Sequence, residues 1–167
     1  MRNVPVRCLL WFGLVCFAVS FPVQARSWTD VDALRWRLER KGVRGSQTDC
    51  QHGLQAAYDS RRNSLVVCRA HRSPGQVWNT LAHEAAHRMQ DCAGGPISKP
   101  EYTQTMLSTL RRYSPEDVAA LRSYPRRQHR SEIEARYTAQ LPPQQVMRLF
   151  DRYCGARSAL IRSDDSP

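Results

Sequence analysis

The chain has 167 residues, 41% hydrophobic and 24% charged, which supplies one packed domain and excludes wholesale disorder. A formal net charge of +10 favours contact with acidic envelope polymers or nucleic acid. The arginines are scattered as pairs (Arg61-Arg62, Arg111-Arg112, Arg126-Arg127) without a long basic block, so no specific nucleic-acid motif is present.

Residues 1–25 read as a secretory signal peptide. Arg2 and Arg7 form the positive start, CLLWFGLVCFAVS the apolar run and Val23-Gln24-Ala25 the small-residue cleavage site. The apolar run is shorter than the ~20 residues that a membrane span requires. Cleavage would remove two arginines and no acid, taking the net charge from +10 to +8 and leaving an exported chain that is not an integral membrane protein. Four cysteines remain: Cys50, Cys68, Cys92 and Cys154. An even number in an exported chain predicts two disulfides, and Cys50–Cys68 with Cys92–Cys154 is the favoured pairing of the three possible.

Residues 27–41 predict a helix with Val31, Leu34 and Leu38 on its inner face and Gly42 at its end. Residues 42–49 read as a loop. Leu54-Gln55-Ala56-Ala57-Tyr58 and Ser64-Leu65-Val66-Val67-Cys68 predict two short strands around a polar turn. Such a strand edge can line a cleft and take an extended peptide by main-chain hydrogen bonds. Ser73-Pro74-Gly75-Gln76 is a capping box with proline at the first helical position. The helix it opens carries Val77, Leu81, Ala85 and Met89 toward a core and stops at Gly94-Gly95-Pro96. Further helices are predicted over residues 101–113, 114–124, 132–141 (capped by Ser131) and 144–153, the last turning Val146, Leu149 and Phe150 inward. The tail over residues 158–167 reads as frayed.

The chemistry lies in the long middle helix, at His83-Glu84-Ala85-Ala86-His87. Two histidines four apart project from one helix face, about 6 Å apart at the backbone, so both imidazoles can reach one small cation. Zinc binds imidazole nitrogen, and a catalytic site uses three protein ligands plus one open position. Glu84 would stand beside a water in that position as general base. No G-x-x-H string follows His87, so the third ligand is expected to be a carboxylate from a later helix, with Glu132 and Glu134 the candidates.

His83-Glu84-x-x-His87 followed by Glu132-Ile133-Glu134-Ala135 resembles the gluzincin zinc metallopeptidases. The longer string HEAAHRMQDCAGG also resembles small exported bacterial proteins. The gluzincin resemblance implies a zincin-like, mainly α (α+β) domain over residues 26–167 with one small β-hairpin. It also implies Zn2+ held by His83, His87 and Glu132, with Glu134 the alternative third ligand, and hydrolysis of a peptide or protein substrate with Glu84 as base. Gluzincins place an aspartate four residues after the ligand glutamate to support a zinc histidine. This chain has Arg136 there, or Thr138 if Glu134 is the ligand, and Asp91 is the expected substitute. His129, Tyr124 and Tyr137 are candidate oxyanion donors, His52 and His71 candidate cleft residues, and Gln90 and Trp78 are expected to be packing or surface residues. Two other functions fit the sequence. One is a basic exported binding protein for acidic envelope polymers or nucleic acid; the other is a catalytically degenerate zincin used for recognition.

Overall fold

The first two helices each begin at a serine side-chain cap and end beside a glycine. In α1, Trp28–Arg40, Ser27 and Asp30 form a reciprocal capping box. In α2, Pro74–Ala93, Ser73 and Gln76 do the same, and Gly94 closes the helix in the left-handed conformation at φ 76°. The computed structural model describes residues 26–50, 54–69 and 73–155. The segment read as a signal peptide, His52, His71 and residues 158–167 lie outside the described residues.

The architecture is mainly helical, with one small sheet. Strands β1, Arg44–Thr48, β2, Ala56–Asp59, and β3, Ser64–Cys68, form a sheet of order β1-β3-β2. The hairpin β2–β3 is antiparallel, pairing Ala56 with Val67 and Asp59 with Ser64. β1 lies parallel to β3, Arg44 opposite Ser64 and Thr48 opposite Cys68. The stretch read as a loop is therefore partly a strand. All five residues of β1 are exposed, so no apolar alternation marks it, and main-chain pairing with β3 alone makes it a strand. The hairpin's first strand begins at Ala56, with Leu54 exposed ahead of it.

The remaining helices are α3, Thr103–Tyr113, α4, Pro115–Ala120, α5, His129–Gln140, and α6, Pro143–Cys154. Ser131 is not the cap of α5: a 3-10 turn over Arg126–Gln128 runs straight into the helix and starts it earlier. α2 is the axis of the molecule, packed by α1, α5, α6 and the hairpin. One core joins Val31, Leu34 and Leu38 of α1, Leu65 and Val67 of β3, Val77, Trp78, Leu81 and Met89 of α2, and Val146 and Phe150 of α6. Ala82, Ala85 and Ala86 of α2 and Ala135 and Ala139 of α5 are buried in the same core, so small side chains line the approach of α5 to α2. A second core of Met106, Leu110, Leu121 and Ile133 fastens α3 and α4 to the outer side of α5. Disulfides join Cys50 to Cys68 across the sheet and Cys92 to Cys154 between the ends of α2 and α6. Among the described residues no helix is long and apolar enough to cross a membrane.

Candidate metal centre

The capped, core-facing run of α2 puts His83 and His87 on the side that meets α5, and α5 presents Glu132 to both. The two Nε2 atoms are 3.1 Å apart. Glu132 Oε2 lies 3.6 Å from His83 Nε2, and Oε1 lies 3.4 Å from His87 Nε2. Four ligands at ~2.0–2.1 Å from a zinc ion stand about 3.3–3.4 Å apart along the edges of their tetrahedron, so these separations suit one cation. The donor set suits it too: two imidazoles and one carboxylate, of which Glu132 Oε2 is buried with no hydrogen-bond partner. The residues present fit a zinc ion.

Glu84 is buried on the same helix and accepts a hydrogen bond from the Tyr58 main chain of β2. Burial pushes its carboxyl up to about 7, against the opposing pull of His87 and that hydrogen bond. Burial, then the neighbouring His87, takes His83 down to about 3, which favours the neutral imidazole that a metal needs. For His87 burial acts in the same sense, yet hydrogen bonds to Glu132 and Gln90 with the charge of Glu84 outweigh it and raise the ring. Burial acts to raise Glu132, but His87, His83 and Arg136 prevail and hold it below the usual carboxylate range.

Glu134 is elsewhere. It is buried on another side of α5 and accepts from the main-chain N–H groups of Ile97 (2.8 Å) and Ser98 (2.6 Å) and from Gln90 Nε2 (2.9 Å). Gln90, expected to be packing or surface, stands directly behind His87, with its Oε1 2.9 Å from His87 Nδ1. Asp91, expected there, instead accepts from Arg88 (2.6 Å) and Tyr58 Oη (3.3 Å), tying α2 to β2. Gln90 lies three residues after His87, the helical spacing that sets the two side chains side by side. Trp78 is fully buried in the core, as expected of a packing residue.

A cleft of about 720 Å³ opens in front of His83 and Glu84. Leu54, Gln55 and Ala56 line one wall; Asp117, Tyr124 and Arg136 line the other. Arg136 occupies the position where an aspartate was expected. Its Nη1 donates to Asp117 at 2.7 Å, Nη2 is 4.0 Å from Glu132 Oε2, and the guanidinium sits over the Tyr124 ring. Nothing in the sequence marked this Asp117–Arg136 pair. Of the three candidate oxyanion donors, only Tyr124 lines the cleft. His129 bonds the Tyr124 carbonyl at 2.9 Å, and Tyr137 packs against the second core.

The fold and these side chains define a small disulfide-bonded α-helical domain with a two-histidine, one-carboxylate cluster at the side of a cleft. Residues 50–155 match a family model described as a domain of unknown function, DUF8637, and the chain belongs to that family. The matched span holds all four disulfide cysteines, the cluster and Glu84. No curated protein and no solved structure matches the chain.

Proposed function

We propose that this protein is an exported, zinc-dependent peptidase of zincin type, with His83, His87 and Glu132 as the metal ligands. The observation that carries the reading is the convergence of these three donors, one of them an unpartnered buried carboxylate oxygen, beside a second buried carboxylate, Glu84. Zinc in that position would supply Lewis acidity, polarising a substrate carbonyl and lowering the pKa of a water toward ~7. Glu84 takes the proton of the attacking water and passes it to the leaving amine. Tyr124 is the cleft residue available to hydrogen-bond the developing oxyanion. β2 is an edge strand, and Leu54 to Ala56 line the cleft, so an extended peptide laid along that edge would run past Glu84. The two disulfides and the signal-like start of the chain support export.

Two measurements test this. Metal analysis of the chain after refilling with zinc should give about one ion, lost in His83→Ala and in Glu132→Ala. Hydrolysis of a mixed peptide library should disappear in Glu84→Gln while the zinc remains. A wild-type chain that takes up no zinc refutes the reading. The second reading, binding to acidic envelope polymers, is favoured by the exposed Arg111, Arg112, Arg126 and Arg127 and the +8 charge left after signal removal (+10 less Arg2 and Arg7), and Glu84→Gln would leave it unchanged.

A further inference from the structure

We propose that Gln90 is a positioning residue that locks His87 in the tautomer carrying its proton on Nδ1, and that Glu134 holds Gln90 in the orientation that does so. The direction of every hydrogen bond in the chain of contacts can be assigned. Gln90 is buried, and one end of its amide faces the Ser131 carbonyl at 3.0 Å and Glu134 Oε2 at 2.9 Å. Both are acceptors, so that end must be the NH₂ group. The other end, Oε1, then faces His87 Nδ1 at 2.9 Å and can only accept. His87 must donate from Nδ1. In the charged ring both nitrogens donate, Nε2 toward Glu132; in the neutral ring the bond to Gln90 leaves Nε2 as a bare lone pair, directed at Glu132 and His83.

Glu134 is itself held in place. Its two oxygens accept from Ile97 N and Ser98 N, and the carbonyls of those residues receive Tyr153 Oη (2.9 Å) and the Arg130 guanidinium. A turn of the Gln90 amide would set its oxygen against two acceptors in a buried site and lose two hydrogen bonds. The polarity of the loop backbone at residues 97–98 is thereby carried through Glu134 and Gln90 to one nitrogen of His87. This supplies the support that the absent aspartate would have given, with Gln90 three residues after His87 in place of a residue on α5. The consequence for metal affinity rests on the zinc reading above; the tautomer does not.

The test is a long-range proton–nitrogen correlation spectrum of the histidine-labelled, metal-free chain at alkaline pH, with a zinc-competition titration and a melting curve on the same samples. In the wild type His87 should carry its proton on Nδ1. Gln90→Leu should shift His87 toward the Nε2–H form and weaken zinc about 10- to 100-fold. The exchange Gln90→Glu with Glu134→Gln leaves an acceptor at His87 and a donor behind it. It should restore the Nδ1–H form, although one loop amide and the Ser131 carbonyl lose their partners and the melting temperature falls. A merely structural Gln90 would move the melting temperature and leave the tautomer alone. An Nε2–H tautomer in the wild type, or an unchanged tautomer in a folded Gln90→Leu, overturns the proposal. A wild type that shows Nδ1–H but binds no zinc refutes the peptidase reading and leaves the tautomer lock standing. Should Gln90→Leu fail to fold, the wild-type and exchanged chains still decide.

Discussion

Glu132 and Glu134 stand two residues apart on α5, both nearly buried, in opposite surroundings. Glu134 has its lone pairs taken by two main-chain amides and a glutamine. Glu132 faces two imidazoles and a guanidinium 4.0 Å away, and one of its oxygens has no hydrogen-bond partner. A buried carboxylate is costly unless it is compensated. The chain compensates Glu134 internally with N–H donors at hydrogen-bond distance, whereas Glu132 Oε2 has two imidazoles and a guanidinium nearby and none of them within hydrogen-bond reach. Burial alone does not separate these two carboxylates; the inventory of donors around each does.

The sharpest break in this comparison comes from the third buried carboxylate. On the proposed peptidase reading, Glu84→Gln should lower peptide hydrolysis by roughly 10²–10⁴-fold, the usual weight of a general base, with zinc content and melting temperature nearly unchanged. Next, Glu134→Ala should cost about 3–5 kcal/mol in denaturant unfolding of the metal-free chain, because it leaves buried N–H groups without acceptors. Glu132→Ala should cost far less in that assay and, on the proposed zinc reading, abolish zinc uptake; equal destabilisation by the two would erase the distinction. Removing the Cys92–Cys154 disulfide by paired serines should cost about 2–5 kcal/mol, a global loss read by denaturant unfolding. Arg136→Leu should cost about 1–3 kcal/mol, since Asp117 loses a partly buried partner; calorimetry reads the stability and chelator competition reads any change at Glu132. Trp36→Ala on the exposed face of α1 should cost no more than about 1 kcal/mol, the weight of the Arg40 guanidinium over its ring, read by the same denaturant unfolding.

Much of the helical fold was legible because its signals are local. The Ser73–Gln76 box, Pro74 and Gly94 delimit α2 within four residues of the groups they bond, and Val77, Leu81, Ala85 and Met89 show its inner face by spacing. The disulfide pairing followed from where the cysteines sit on predicted elements. β1 was not legible, since five exposed residues carry no apolar pattern and only a partner strand makes them a strand. The start of α5 was misplaced at Ser131 because a serine before an acidic run mimics a cap wherever it falls.

The site divides along the same line. His83, Glu84 and His87 lie within five residues, so helical periodicity alone puts the two imidazoles side by side. Between Glu132 and Glu134 the sequence offered no physical discriminator, because both lie on one short helix and either could face α2. The rotation of α5 decided it: Ile133 is drawn into the second core and Ala135 and Ala139 into the first, which turns Glu132 to the histidines and Glu134 to the loop at residues 97–98. Periodicity thus determined the helix faces and their chemical groups. The direction each face points depends on apolar contacts between residues far apart in the chain, and only the tertiary structure shows those.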